Sequence, residues 1–274
     1  MKNKIAVVFD FDDTLTRDST SRYLSLNGIS PSIFWEEEVQ QLIDQSWDFV
    51  LAWMYTIMKH RKTNNNLLTL DSLKSFSKSL DFFPGVKEIF GHIRSYVKKI
   101  DTENKIDVEF YIISSGIGTI VENCNICHEF TDIWTSNLFF NNDGVPLFIK
   151  NAVSSTEKTR YLFQIHKGFV GDNFKNRPLA VNDYVAEEER RIPFENIIFI
   201  GDGYTDIPCF SIVNKFGGTP ICVYENHDEF YGRKTSSFIE EGRAINTVLA
   251  DYSPSSQLYN LLFDSLYKIT LLNS

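Results

Sequence analysis

The chain has 274 residues, 43% of them hydrophobic and 23% charged, with 27 Lys and Arg against 36 Asp and Glu and a net charge of -9. This length accommodates one large domain, or one domain with a small insert, and the composition excludes a disordered chain. The acidic balance excludes nucleic acid as an expected partner, because a phosphate backbone calls for compensating Lys and Arg.

The first apolar run, Ile5–Phe9, is ended by Asp10 and is too short for the core of a signal peptide. No stretch reaches the roughly 20 apolar residues that a membrane helix requires. A cytoplasmic enzyme with no membrane partner is expected, and its four cysteines are read as reduced thiols.

Residues 5–10 are β-branched and apolar on both strand faces, the pattern of a buried parallel strand. Runs of the same kind recur at Val108–Ile113, Ile197–Ile200 and Pro220–Tyr224. Helical spacing separates them, as in Val86, Ile89, Phe90, Ile93 and Val97. Strands alternating with helices predict an α/β fold, a doubly wound, mainly parallel Rossmann-like sheet. Ligands of such sheets sit outside the carboxyl ends of the strands. Asp10, Ser114 and Asp202 lie at those ends.

Almost 100 residues separate the first two strands, whereas a simple crossover needs about a dozen. Residues 18–81 are therefore expected to form a small helical cap, and 1–17 with 82–274 the core domain. Phe34, Val39, Leu42 and Ile43, then Phe49, Val50, Trp53, Met54 and Ile57, carry the helical pattern of the cap. Trp35, Trp47 and Trp53 are read there as core rather than as a binding platform. Residues 169–193 are polar and irregular, and read as a long loop or a second small insertion.

Four short elements carry the chemistry. Asp10-Phe11-Asp12-Asp13-Thr14 sets three carboxylates directly after a buried strand, where an acidic turn or a helix cap would also suit Asp and Thr. Gly201-Asp202-Gly203-Tyr204-Thr205-Asp206 follows another buried strand. If these carboxylates converge, each pair about 4 Å apart repels by roughly 4 kcal/mol at an effective dielectric near 20. A cation is then required, and all-oxygen ligands favour a hard ion such as Mg²⁺. Ser114-Ser115-Gly116 offers a hydroxyl and backbone N–H groups at a strand end opening a helix, either an anion cradle or a plain helix cap. Lys158, after the capping signal Ser154–Glu157, falls in a first helical turn, where a cation is electrostatically unfavourable and reads either as facing an anionic partner or as a solvated surface lysine.

In this order the four elements resemble the haloacid dehalogenase-like hydrolase superfamily, and in particular its phosphoserine-phosphatase-like branch. The resemblance spans nearly the whole chain. Its first and last motifs, Asp-x-Asp-x-Thr and Gly-Asp-Gly-x-x-Asp, are the specific ones. Gly217-Gly218 and Ala250-Asp251-Tyr252 also fit that branch.

The resemblance implies a Mg²⁺-dependent phosphatase of small phosphomonoesters that works through an aspartyl-phosphate. Asp10 would be the nucleophile, and Asp12 the general acid and then the base. Mg²⁺ would be held by Asp10, the main-chain carbonyl of Asp12 and Asp202, with Asp206 supporting its waters or Lys158. Ser114, with Ser115 and Gly116, would bind the transferring phosphoryl group, whose charge Lys158 would neutralise. Asp13 and Thr14 would shape the loop.

The gap from Lys158 to Asp202 is longer than this branch leads one to expect. Lys167 and Lys175 therefore stand as alternatives to Lys158. A phosphotransferase or pyrophosphatase on the same intermediate, a non-catalytic binding module and a phosphoacceptor domain are the competing functions. Nothing in these motifs names the substrate; Lys59 and Arg61 read as a solvated helix face. Cys124-Asn125-Ile126-Cys127-His128 has haem-attachment spacing, but that chemistry belongs to exported proteins. With Cys209 and Cys222 far apart in sequence, a structural zinc site is equally poorly supported.

Overall fold

The computed structural model describes residues 3–103, 105–175, 177–225 and 246–273. A seven-stranded sheet forms the centre, in the order β4-β3-β2-β1-β5-β6-β7. The strands are β1 (Asn3–Phe9), β2 (Ile106–Ile117), β3 (Asp132–Phe140), β4 (Pro146–Asn151), β5 (Ile197–Gly201), β6 (Thr219–Tyr224) and β7 (Asn246–Leu249). All neighbours pair in parallel except β3 and β4, so this is the α/β architecture expected from the apolar runs.

The alternation of side chains along β1 builds two cores. Ile5, Val7 and Phe9 pack on one face of the sheet, and Ala6 and Val8 on the other. Helix α5 (Val86–Ile100) and the final helix α10 (Gln257–Asn273) cover the first face. Helices α7 (Ser155–Lys167) and α9 (Ile207–Lys215) cover the second. Both faces of β1 are thus dry, which is why its sequence is an unbroken apolar run.

Register decides where the chemistry falls. Phe9 pairs with Ile112 of β2 and with Ile200 of β5, so the three central strands pass through one level there. Asp10, Ser114 and Asp202 each follow within two residues of those partners.

The elements between β1 and α5 are helical: α1 (Ser19–Leu26), a π-helical stretch Ile33–Val39 running into α2 (Gln40–Ile43), α3 (Phe49–His60) and α4 (Leu70–Lys78). Asp18 opens α1, its carboxylate accepting the Ser21 N–H, and Asp48 opens α3 in the same way through Leu51. The expected core range 82–274 includes residues 226–245, which lie outside the described residues. The described residues of 169–193 carry only the single-turn helix α8 (Asp172–Lys175) and two 3₁₀ turns.

One expectation needs correction. β2 does not end at Ile113 to open a helix at Ser114. A register shift against β3 between Ile113 and Ile117 lets the strand continue to Ile117. Only then does α6 (Gly118–Val121) begin, four residues long.

Among the described residues, no helix is long and apolar enough to cross a membrane. The four cysteines are free.

Candidate active site

Asp10 leaves β1 with its N–H still donating to the Ile200 carbonyl at 2.8 Å. Its Oδ1 accepts the Phe11 N–H at 2.7 Å, and its Oδ2 meets Lys158 Nζ at 2.8 Å. Lys158 stands in the first turn of α7 with no solvent exposure. Its ammonium also donates to Asp206 Oδ1 at 2.7 Å and to Thr205 Oγ1 at 3.3 Å. Burial alone would lower the pKa of Lys158, but the charges of Asp10 and Asp206 raise it above its ordinary value. The lysine therefore remains a cation inside the protein.

Asp206 ends the 3₁₀ turn Tyr204–Asp206 after β5 and is fully buried. A Cβ on Gly201 would lie 2.5 Å from its carboxyl carbon, so the strand end tolerates only glycine there. Carboxylate oxygens of Asp10, Asp202 and Asp206 lie within 4.8 Å of one another. This all-oxygen, multiply charged donor set fits a hard divalent cation. Burial, then the charges of Asp206 and Asp10, push the Asp202 carboxyl well up, which is the cost of this crowding without a cation.

Asp12 is turned away from that trio. Its Oδ1 accepts the Ser19 N–H at 2.8 Å, and its Oδ2 lies against Gly116, where a Cβ would come within 2.6 Å. Burial, then the charge of Asp18, raise its pKa well above the usual carboxylate range. The buried Ser114 accepts the Gly116 N–H on its Oγ at 3.0 Å. Ser115 donates its hydroxyl to the Val153 carbonyl at 2.7 Å. Because β2 continues past these residues, the cradle there is an extended strand rather than a helix N-terminus. Gly116 N–H is already engaged by Ser114.

Asp13 adopts a left-handed backbone (φ 54°), which its short polar side chain tolerates. Its Oδ1 accepts the Asp18 N–H at 3.0 Å and closes the loop. Tyr252, from the segment before α10, donates its hydroxyl to the Thr14 carbonyl at 3.0 Å and fixes the same loop from the other side.

The other lysines lie elsewhere. Lys167 Nζ donates to the carbonyls of Val181 and Asp183, and Lys175 pairs with Asp172 at the surface.

A cavity of about 680 Å³ opens over the site. Asp10, Asp12, Ser114, Ser115, Gly116 and Asp202 line its floor, and Asp18 and Thr20 its edge. Trp35, Phe49 and Trp53 line it as well, and Trp53 belongs to the core with Trp35 packed against it, as the sequence led one to expect. Trp53 is indeed 3% exposed, but Phe49 is 47% exposed and Trp47 is 40% exposed. Neither Lys59 nor Arg61 lines this cavity.

Crowded carboxylates give the metal-free protein a defined pH response. Burial, followed by the charge of Asp18, pushes Asp13 up to about 7; burial, partly offset by Lys158, pushes Asp206 up to about 7. Both are near 4 when unfolded. The folded state therefore binds more protons between those values, and stability falls as pH rises from about 4 to about 7. In EDTA the Tm should decline from pH 5 to pH 7.5, and a divalent cation should flatten the decline. A metal-free Tm that rises over this window would contradict the geometry.

The fold is that of the haloacid dehalogenase-like hydrolases. A hydrolase of that family from Salmonella enterica subsp. enterica serovar Typhi superposes with a TM-score of 0.61 at 16% identity, over 96% of this chain and 70% of its own. A substrate-bound phosphoserine phosphatase superposes with a TM-score of 0.54 at 15% identity, over 96% of this chain and 98% of its own. An uncharacterized protein of Borreliella burgdorferi (strain B31) is 27% identical, with 97% of each chain covered. The family profile described as Putative Phosphatase matches residues 5–216. The chain belongs to that phosphatase family.

Proposed function

We propose that the chain is a Mg²⁺-dependent hydrolase of small phosphomonoesters, with Asp10 as its nucleophile. The observation that carries this reading is the buried Lys158, held 2.8 Å from Asp10 and 2.7 Å from Asp206 beside three converging carboxylates. A buried cation next to a nucleophilic carboxylate is what a dianionic phosphoryl group needs on arrival.

In the first step an Asp10 carboxylate oxygen attacks phosphorus, and the bond to the ester oxygen breaks. Asp12 gives its proton to that leaving oxygen; its raised pKa supports this role, since the carboxyl must hold a proton near neutrality. In the second step Asp12 takes a proton from water as the water oxygen attacks phosphorus. Phosphate leaves and the Asp10 carboxylate is restored. Lys158 and Ser114 hold the phosphoryl oxygens through both steps. Asp10 and Asp202 would bind Mg²⁺ with the Asp12 carbonyl, and Asp206 would hold Lys158 in place. The ion would offset the charge developing on the phosphoryl oxygens.

Residues 1–17 and 82–274 are read as the catalytic core, and 18–81 as a cap that covers the site. A cytoplasmic location is part of the same reading.

The test is phosphate release from a panel of metabolite phosphates in Mg²⁺ or in EDTA. Turnover should require Mg²⁺ and return when it is added back. Equal turnover in excess EDTA, or none on any substrate, would overturn the proposal.

A further inference from the structure

The cavity over Asp10 has a second, chemically different wall. Trp35 stacks with Phe49 at 6.0 Å and 22°, and meets Trp53 edge-on at 6.3 Å and 64°. All three line the space into which the ester's leaving group would extend. Phe49 keeps 47% of its surface exposed there, although burying it would be favourable.

Trp35 is tied to the nucleophile's loop. Its Nε1–H donates to Ser21 Oγ at 2.8 Å. The Ser21 hydroxyl donates to Asp18 Oδ2, and the Ser21 N–H to Asp18 Oδ1 at 3.0 Å. Asp18 in turn donates its N–H to Asp13 Oδ1 at 3.0 Å. A continuous chain of hydrogen bonds thus fixes one aromatic ring relative to the turn that carries Asp10. Trp35 also lies in the π-helical stretch Ile33–Val39, a rare conformation concentrated at functional positions.

The charge of the wall is equally defined. Among the described residues lining the cavity there is no Lys, Arg or His, while Asp13 and Asp18 face it from the loop and the cap. Among the described residues of this lining, an anionic group on the leaving alcohol would find no guanidinium or ammonium to receive it, and would meet like charge. A group with an apolar face would find aromatic surface.

From this geometry we infer that the substrate is a phosphomonoester whose leaving group presents an apolar or aromatic face and carries no anionic group. Trp35 and Phe49 select it, and carboxylate-bearing esters such as phosphoserine are excluded. This rests on the proposed phosphatase activity and narrows it.

The test compares kcat/KM for benzyl phosphate, phosphoglycolate and phosphoserine in Mg²⁺. All three are primary alkyl esters, so the class of leaving oxygen does not decide the order. Benzyl phosphate should exceed each of the others by at least about 100-fold, combining aromatic contact with like-charge exclusion. Phe49→Arg should lower this ratio by about tenfold or more, through a gain on phosphoglycolate as well as a loss on benzyl phosphate. Equal or better hydrolysis of the acidic esters by the wild type, or a ratio unmoved by Phe49→Arg, would overturn the inference.

Binding separates this inference from the catalytic proposal. Calorimetric titration of Asp10→Asn with benzyl phosphate and with phosphoglycolate, in Mg²⁺, reads the subsite without turnover. Selective binding of benzyl phosphate upholds the aromatic subsite even if no ester is hydrolysed. Unselective or no binding rejects it.

Discussion

Asp10→Asn should lower kcat by at least about 10³-fold while leaving the protein folded, because it removes the nucleophile and little else. The substitution is isosteric. One carboxylate oxygen accepts the Phe11 N–H at 2.7 Å and the other faces Lys158 at 2.8 Å. An amide keeps one acceptor for the first contact but turns an NH₂ toward the lysine. Lys158 retains Asp206 at 2.7 Å as a counter-ion, so its charge is not stranded. The loss of one negative charge also relieves repulsion on Asp202 and Asp206. Stability should therefore stay near that of the wild type, and the change in rate reports chemistry. Acid-quenched wild-type protein should carry phosphate on the peptide containing Asp10, and the variant should not. Activity retained within tenfold, with phosphate trapped on another residue, would reject Asp10 as the nucleophile.

The central half of the fold was legible because burial leaves a simple signature. β1, β2, β5 and β6 are covered on both faces, so their sequences are largely apolar runs, with the buried Glu109 of β2 paired to Lys4 and Arg191. β3, β4 and β7 were not recognised. β4 is an antiparallel edge strand with Leu147 and Phe148 at 54% and 72% exposure, and β7 has only four residues. Neither shows the pattern of a strand dry on both sides. The candidate site residues at strand ends were named from the order of the four motifs and the resemblance they carry, since a lone Asp after a buried strand suits a turn or a helix cap as well.

The link from Tyr252 to the Thr14 carbonyl crosses most of the chain, and no local pattern encodes it. The aromatic wall was legible as core, which Trp53 and Trp35 do join, but not as cavity lining. Trp35, Phe49 and Trp53 have spacings that suit a helix core, but the π-helical stretch changes the angular step between residues. Periodicity alone does not reveal that Trp35 faces the cavity.

Lys158→Met tests the electrostatic centre of the site more severely than removal of any single carboxylate. Methionine matches the aliphatic stem but leaves Asp10 and Asp206 buried without their cation. Removing one partner of a buried pair costs about 3–5 kcal/mol, because the charge left behind is uncompensated. In EDTA at pH 7.5 the variant should lose stability on that scale. The deficit should shrink on acidification. Without the lysine charge that lowers it, the already raised pKa of Asp206 rises further above its unfolded value, so lowering the pH stabilises the folded form relative to its value at pH 7.5. Adding Asp206→Asn should recover part of the loss, because it removes the charge that Lys158 no longer neutralises. The two substitutions together should therefore cost less than their sum. Activity in Mg²⁺ should fall by about 10²–10³-fold, the scale of losing one preorganised group on a developing anion. Denaturant titration at two pH values, read beside phosphate release, checks both arms. Unchanged stability at pH 7.5 in EDTA would mean that Lys158 does not hold the two carboxylates in their charged form. Unchanged turnover would remove it from the phosphoryl site and return Lys167 and Lys175 to consideration, although their side chains point elsewhere.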